Sequence, residues 1–133
     1  LFIPIKNKKY SKKHLILISL IYQLKGALSI TDIKSTLQII NDKITTDDID
    51  LESFYTNLLT LQKMNAENIN ESIHMKQLEV KQMMDEEDEK LEQIMLIASL
   101  VNMSTSYRKI AERLIDEISE AIVESDSETK TKK

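Results

Sequence analysis

A chain of 133 residues with a single glycine and a single proline has few places to turn tightly, so its natural outcome is one domain's worth of long helices. The net charge is −4, and the absence of cysteine excludes a disulfide scaffold, thiolate metal sites and a thiol nucleophile. Strand signals are missing too: there is no sustained two-residue alternation and no Asn-Gly or Asp-Gly turn, and aromatic residues make up only 5%.

Charge is distributed unevenly. Lys6, Lys8, Lys9, Lys12, Lys13 and Lys25 all precede the first acidic residue, Asp32, whereas the middle and back of the chain are acidic. A basic arm on an acidic body suits an element that touches phosphate while the remainder stays clear of it. The plainer alternative is that these lysines solubilise the flank of an apolar helix.

The first helix reads as Lys12 to Lys25, with Ser11 as N-cap and Gly26 just past the C-terminus. Its run Leu15 to Leu24 is apolar on nearly every side but shorter than the roughly 20 residues a membrane span needs, and no cleavage pattern follows it. Such a helix belongs in a core. Its cover would come from the next helix, from later helices or from chain before Leu1. Ser29 followed by Asp32 is a shortened capping box and opens a second helix, about Ile30 to Asn41. Two helices joined by so few residues cross steeply, as in helix-turn-helix units.

Lys9-Tyr10-Ser11, the apolar helix, and the run from Leu24-Lys25-Gly26 through Ala27-Leu28-Ser29-Ile30-Thr31-Asp32-Ile33-Lys34 to Leu37 resemble the second half of a MerR-type winged helix-turn-helix domain. With Ile3-Pro4 and Lys8 to Lys12, the first 40 or so residues are similar to an uncharacterised bacterial domain-of-unknown-function family with a predicted MerR-like fold. Ala27-Leu28 stands where MerR proteins have a single Phe. The resemblance implies that the recognition helix would lie before Leu1, and the missing initiator Met suggests a fragment. It also implies a wing remnant whose Lys9 and Tyr10 lie against the DNA backbone, with Lys6, Lys8, Lys12 and Lys13 adding charge. A competing reading makes Tyr10 a hydrophobic staple before the Ser11 cap. The metal-sensing MerR members need cysteines and are excluded.

After Asn41 comes a polar connection in which Thr45, Thr46 and Asp47 are turn and cap formers. Asp50 is a good N-cap for a helix whose apolar positions Leu51, Phe54, Leu58, Leu61 and Met64 recur at three and four. Asn65, Asn68 and Asn70 weaken the pattern, which predicts a bend or an exposed stretch. Ile69, Ile73, Leu78, Val80, Met83 and Met84 resume it, the methionines as adaptable core packing. The acidic run Asp85 to Glu89 lacks calcium-loop spacing and instead complements the dipole of a helix from about Glu87 to Ile122. Along it Leu91, Ile94, Ala98, Val101 and Thr105 form one stripe, and Ile110 or Ala111, Leu114, Ile118 and Ala121 another. The shift in phase near Thr105 to Tyr107 predicts a bend or two successive partners. Residues 125–133 are polar and read as disordered.

His14 and His74 have no partners spaced for metal binding or nucleophilic catalysis, and a sole glycine leaves no phosphate-cradling loop. His14 reads as an exposed helix-start residue, with a phosphate contact as the alternative, and His74 as surface. The expectation is therefore an all-α helical bundle with long helices and no enzyme activity, cofactor or metal. Residues 1–42 form the second half of a MerR-like DNA-binding domain, 43–124 a dimerisation or effector module and 125–133 a tail. The reading is a cytoplasmic bacterial transcription regulator whose partners are DNA and a second copy, with no membrane. It dimerises through Leu91, Ile94, Ala98, Val101, Ala111, Leu114 and Ile118. The rival is a helical protein-interaction or ligand-sensing module that does not bind DNA.

Overall fold

The computed structural model describes residues 11–84 and 88–131, with side chains described as far as Glu124. Every regular element among them is a helix: α1 (Lys12–Leu24), α2 (Ile30–Thr45), α3 (Leu51–Met83) and α4 (Glu89–Thr131). The chain divides into two units, one of Leu1–Phe54 with Arg108–Lys133 and the other of Tyr55–Tyr107.

Side-chain oxygens set the helix starts. Ser11 Oγ accepts from the His14 backbone N–H at 3.2 Å, Ser29 Oγ from that of Asp32 at 3.1 Å, and Asp50 Oδ1 from that of Ser53 at 3.1 Å. Each satisfies an amide that a helix leaves without an internal partner in its first turn. Asp88 caps α4 in the same way, its Oδ1 accepting from the N–H groups of Lys90 and Leu91 at 3.0 and 3.4 Å. The acidic run thus ends in a cap, and α4 begins two residues later than the charge pattern suggests. Residues 85–87 lie outside the described residues.

Helix ends depart further from expectation. Gly26 follows α1, but its φ is not positive and an added Cβ would meet nothing within 4 Å. The turn is closed by Lys25 N–H to the Ile21 carbonyl at 2.9 Å and Leu28 N–H to the Leu24 carbonyl at 3.0 Å, bonds open to any residue except proline. α2 continues one turn past Asn41, because Asp42 to Thr45 carry no residue that breaks a helix. It stops at Asp47, whose φ is 56°. Asp47 N–H reaches the Ile44 carbonyl at 3.1 Å and Asp48 N–H the Lys43 carbonyl at 2.9 Å, the two-bond Schellman closure with aspartate where glycine is usual.

The first unit's core joins Ile16, Leu17 and Leu20 of α1 to Ile33 and Leu37 of α2 and to Leu51 at the start of α3. Leu17 and Leu37 are fully buried, and α1 with α2 is the most closely packed helix pair among the described residues. The cover of α1 is one-sided: Leu15, Ile18 and Tyr22 are exposed, so this apolar helix is not enclosed as its composition suggests.

In the second unit α3 runs without a break through Asn65, Asn68 and Asn70, all exposed, so the asparagines mark an exposed stretch and not a bend. Val80 is buried and Leu58, Ile73 and Lys76 are half-buried. Leu61, Met64, Ile69, Leu78 and Met83 are exposed, which corrects the reading of the methionines as core. Periodicity showed an apolar side without showing what would cover it. α4 is likewise continuous through Thr105–Tyr107, and residues 125–131, read as a disordered tail, continue the helix. They lack glycine and proline and extend an already nucleated helix, which costs little.

Three substitutions test this account of the turns and core in urea or thermal unfolding. Gly26→Ala should stabilise the protein by about 0.4–1 kcal/mol, because alanine fits the native backbone and restricts the unfolded chain. Asp47→Ala should destabilise it by about 1 kcal/mol, since left-handed backbone penalises a side chain that cannot bond locally. Leu37→Ala should cost about 2–5 kcal/mol through the cavity it leaves.

Asp50 makes a further test. Its carboxyl is held below the usual carboxylate range by the Ser53 backbone N–H and the Ser53 hydroxyl, which donates to Oδ2 at 2.9 Å; slight desolvation opposes them and the Glu52 N–H assists. A group with a lowered folded pKa contributes stability above its ordinary value and loses it as pH falls through the lowered one. Asp50→Asn should therefore lose less stability than wild type between about pH 6 and about pH 3 in urea titrations. Equal losses would show that the cap does not titrate.

Candidate nucleic-acid interface

Of the six residues expected at a DNA backbone, Lys6, Lys8, Lys9 and Tyr10 lie outside the described residues, and with them the choice between staple and phosphate contact for Tyr10. Lys12 and Lys13 are described, and both are exposed at the start of α1. α1 has no acidic residue in its first turn. Lysines there face the positive end of the helix dipole, an arrangement unfavourable by roughly 0.3–1 kcal/mol per charge and relieved by an anion.

Lys12 already has one. Its Nζ lies 3.4 Å from Glu52 Oε1 in the first turn of α3, with the two side chains 79% and 63% exposed. An ion pair this open to water contributes about 0–1 kcal/mol and is easily exchanged for another anion. Lys13 stands beside it on the next position of the helix.

His14 corrects the sequence reading. Only 8% exposed, it is the buried polar residue among those described, and its Nδ1 is hydrogen-bonded with the Ser11 hydroxyl. Burial against the cap takes it away from any phosphate. A serine three residues before the histidine, at the N-cap, was the signal available for this. His74 is exposed, as expected.

The residues expected to pair two copies lie along α4. Leu91, Ile94, Ala98, Val101, Leu114 and Ile118 are all exposed in the single chain, and Ala111 is half-covered. Within the second unit the covered side of α4 is a different one. Gln77, Val80 and Lys81 of α3 and Glu89, Glu92, Gln93 and Leu96 of α4 line a hollow of about 280 Å3, and the same side of α4 continues through the half-covered Leu100 and Met103. Ile97 and Tyr107 are also exposed on α4 and were not singled out from the three-and-four spacing. For Ile97 the signal is the lack of charged residues for several positions on either side; Tyr107 stands directly before Arg108 and Lys109 and offers no such signal.

No helix among the described residues is long and apolar enough to cross a membrane. Residues 1–58 match a family described as a domain of unknown function, DUF1836, a span that takes in the lysine-rich front, α1, α2 and the start of α3. No curated protein and no solved structure matches the chain.

Proposed function

We propose that the chain serves in a DNA-binding transcription regulator of MerR-like type, acting in the cytoplasm. Its lysine-rich front lies along the phosphate backbone, and α4 joins two copies. Catalysis has no part in this reading. The observation that carries it is the pair of exposed lysines at the positive end of α1, on a chain whose six front lysines precede any acid. Stability gives no reason for cations there, whereas a phosphate backbone does. The open apolar side of α4 supports the pairing of copies, and a dimer supplies the two half-site contacts that one small module cannot. Its interface should bury on the order of 1,200–2,000 Å2 or more.

One observation favours a second reading, a helical protein-interaction or ligand-sensing module that does not bind DNA. Lys12 is paired with Glu52, as a solubilising surface lysine would be.

The two readings part in fluorescence anisotropy with random-sequence duplex DNA over a range of salt. Lys13→Ala and Lys9→Ala should each weaken binding to all sequences alike and reduce the salt slope by about one, with the melting temperature unchanged. Binding that is undetectable at low salt, or unaffected by both substitutions, would leave the interaction module standing.

A further inference from the structure

Between Glu92 and Arg108, α4 carries no charged side chain: residues 93–107 are all neutral. At 3.6 residues per turn this is about four turns of helix without a charge on any side. One side is taken up, since Leu96, Leu100 and Met103 are half-covered. Turned away from it are Ile94, Ile97 and Val101, spaced three and four apart and each 59% exposed. Three large apolar side chains left open side by side, with no charge between them, form the kind of exposed patch that marks an interaction surface.

The flanks select its partner. Before the neutral stretch stand Asp88, Glu89 and Glu92 against one lysine, Lys90. After it stand Arg108, Lys109 and Arg113 against one glutamate, Glu112, which is 3.3 Å from Arg108 Nε. Leu100 is the midpoint. A second copy laid parallel would set acids beside acids and bases beside bases. Laid antiparallel about a two-fold axis near Leu100, it brings the acidic flank of each copy against the basic flank of the other, sets Val101 beside its own copy, and lays Ile94 and Ile97 of each copy along the uncharged residues 103–107 of the other. A two-fold interface is self-complementary in this sense, and like charges brought together are what exclude the wrong orientation.

We propose that two copies of this chain pair through α4 in antiparallel orientation, with the two-fold axis at Leu100 to Val101. This deepens the self-association reading above and rests on it. The paired segment, Asp88 to Arg113, is about 39 Å of helix. α3 lies on the other side of α4 and is not displaced.

The chain contains no cysteine, so single-cysteine variants report the geometry. In the antiparallel pair Val101→Cys sits beside its own copy on the axis, whereas Ile94→Cys is separated from its copy by about 18 Å along the helix. A disulfide needs Cα atoms within about 7 Å. Mild oxidation of the full chain should link Val101→Cys into a dimer, seen on non-reducing gels, and leave Ile94→Cys unlinked. Equal linkage of both variants would mean a parallel pair and overturn the proposal. Linkage of neither, in a protein that light scattering shows to be dimeric, would place the interface elsewhere and overturn the proposal while sparing self-association. A monomer at high micromolar concentration would overturn both.

Discussion

Leu17 and Leu37, the two large side chains fully buried among the described residues, come one from α1 and one from α2, the most closely packed helix pair described. That pairing depends on a turn of few residues that brings two short helices together, and the only glycine stands in it. Beyond α2 the chain continues as helices of 33 and 43 residues, whose apolar positions outnumber what a single neighbour can cover. Helix stability in water comes mostly from packing an apolar side, so helices this long bring a need for partners with them.

Much of the fold was legible because capping is local chemistry. Ser11, Ser29 and Asp50 act within three residues of themselves, and each start they indicated is where a helix begins. Ends were less legible, since a helix stops only where something stops it: Asp47 does so with left-handed backbone, and nothing in residues 125–131 does. Burial was the least legible. Spacing identifies that Phe54, Leu61, Met64 and Met83 share apolar sides, but whether a side is covered depends on a surface far away in sequence or in another molecule. For the candidate site, sequence placed Lys12 and Lys13 correctly at an exposed helix start. It missed the burial of His14, because a histidine hydrogen-bonded with its own cap looks, in a string of letters, like any other first-turn residue.

Electrostatics ties the two ends of the proposed function together. The lysines ahead of Asp32 give a local positive potential on a molecule that is negative as a whole. Such asymmetry orients an approach to a polyanion, attracting one end and repelling the rest. The acids that provide the repulsion are the same class of residue that caps α3 and α4, so local helix stability and long-range orientation draw on one composition.

Among the described residues, the buried side chains of the first unit all lie between His14 and Leu51. Contacts between residues close in sequence require little loop closure, and chains rich in them fold fast. During synthesis this cluster is complete before most of α3 exists, so the growing chain acquires an anchored amino-terminal unit from which the long helices are then extended. If two copies pair as proposed, the slow step of maturation is the meeting of two chains, whose rate is set by their concentration.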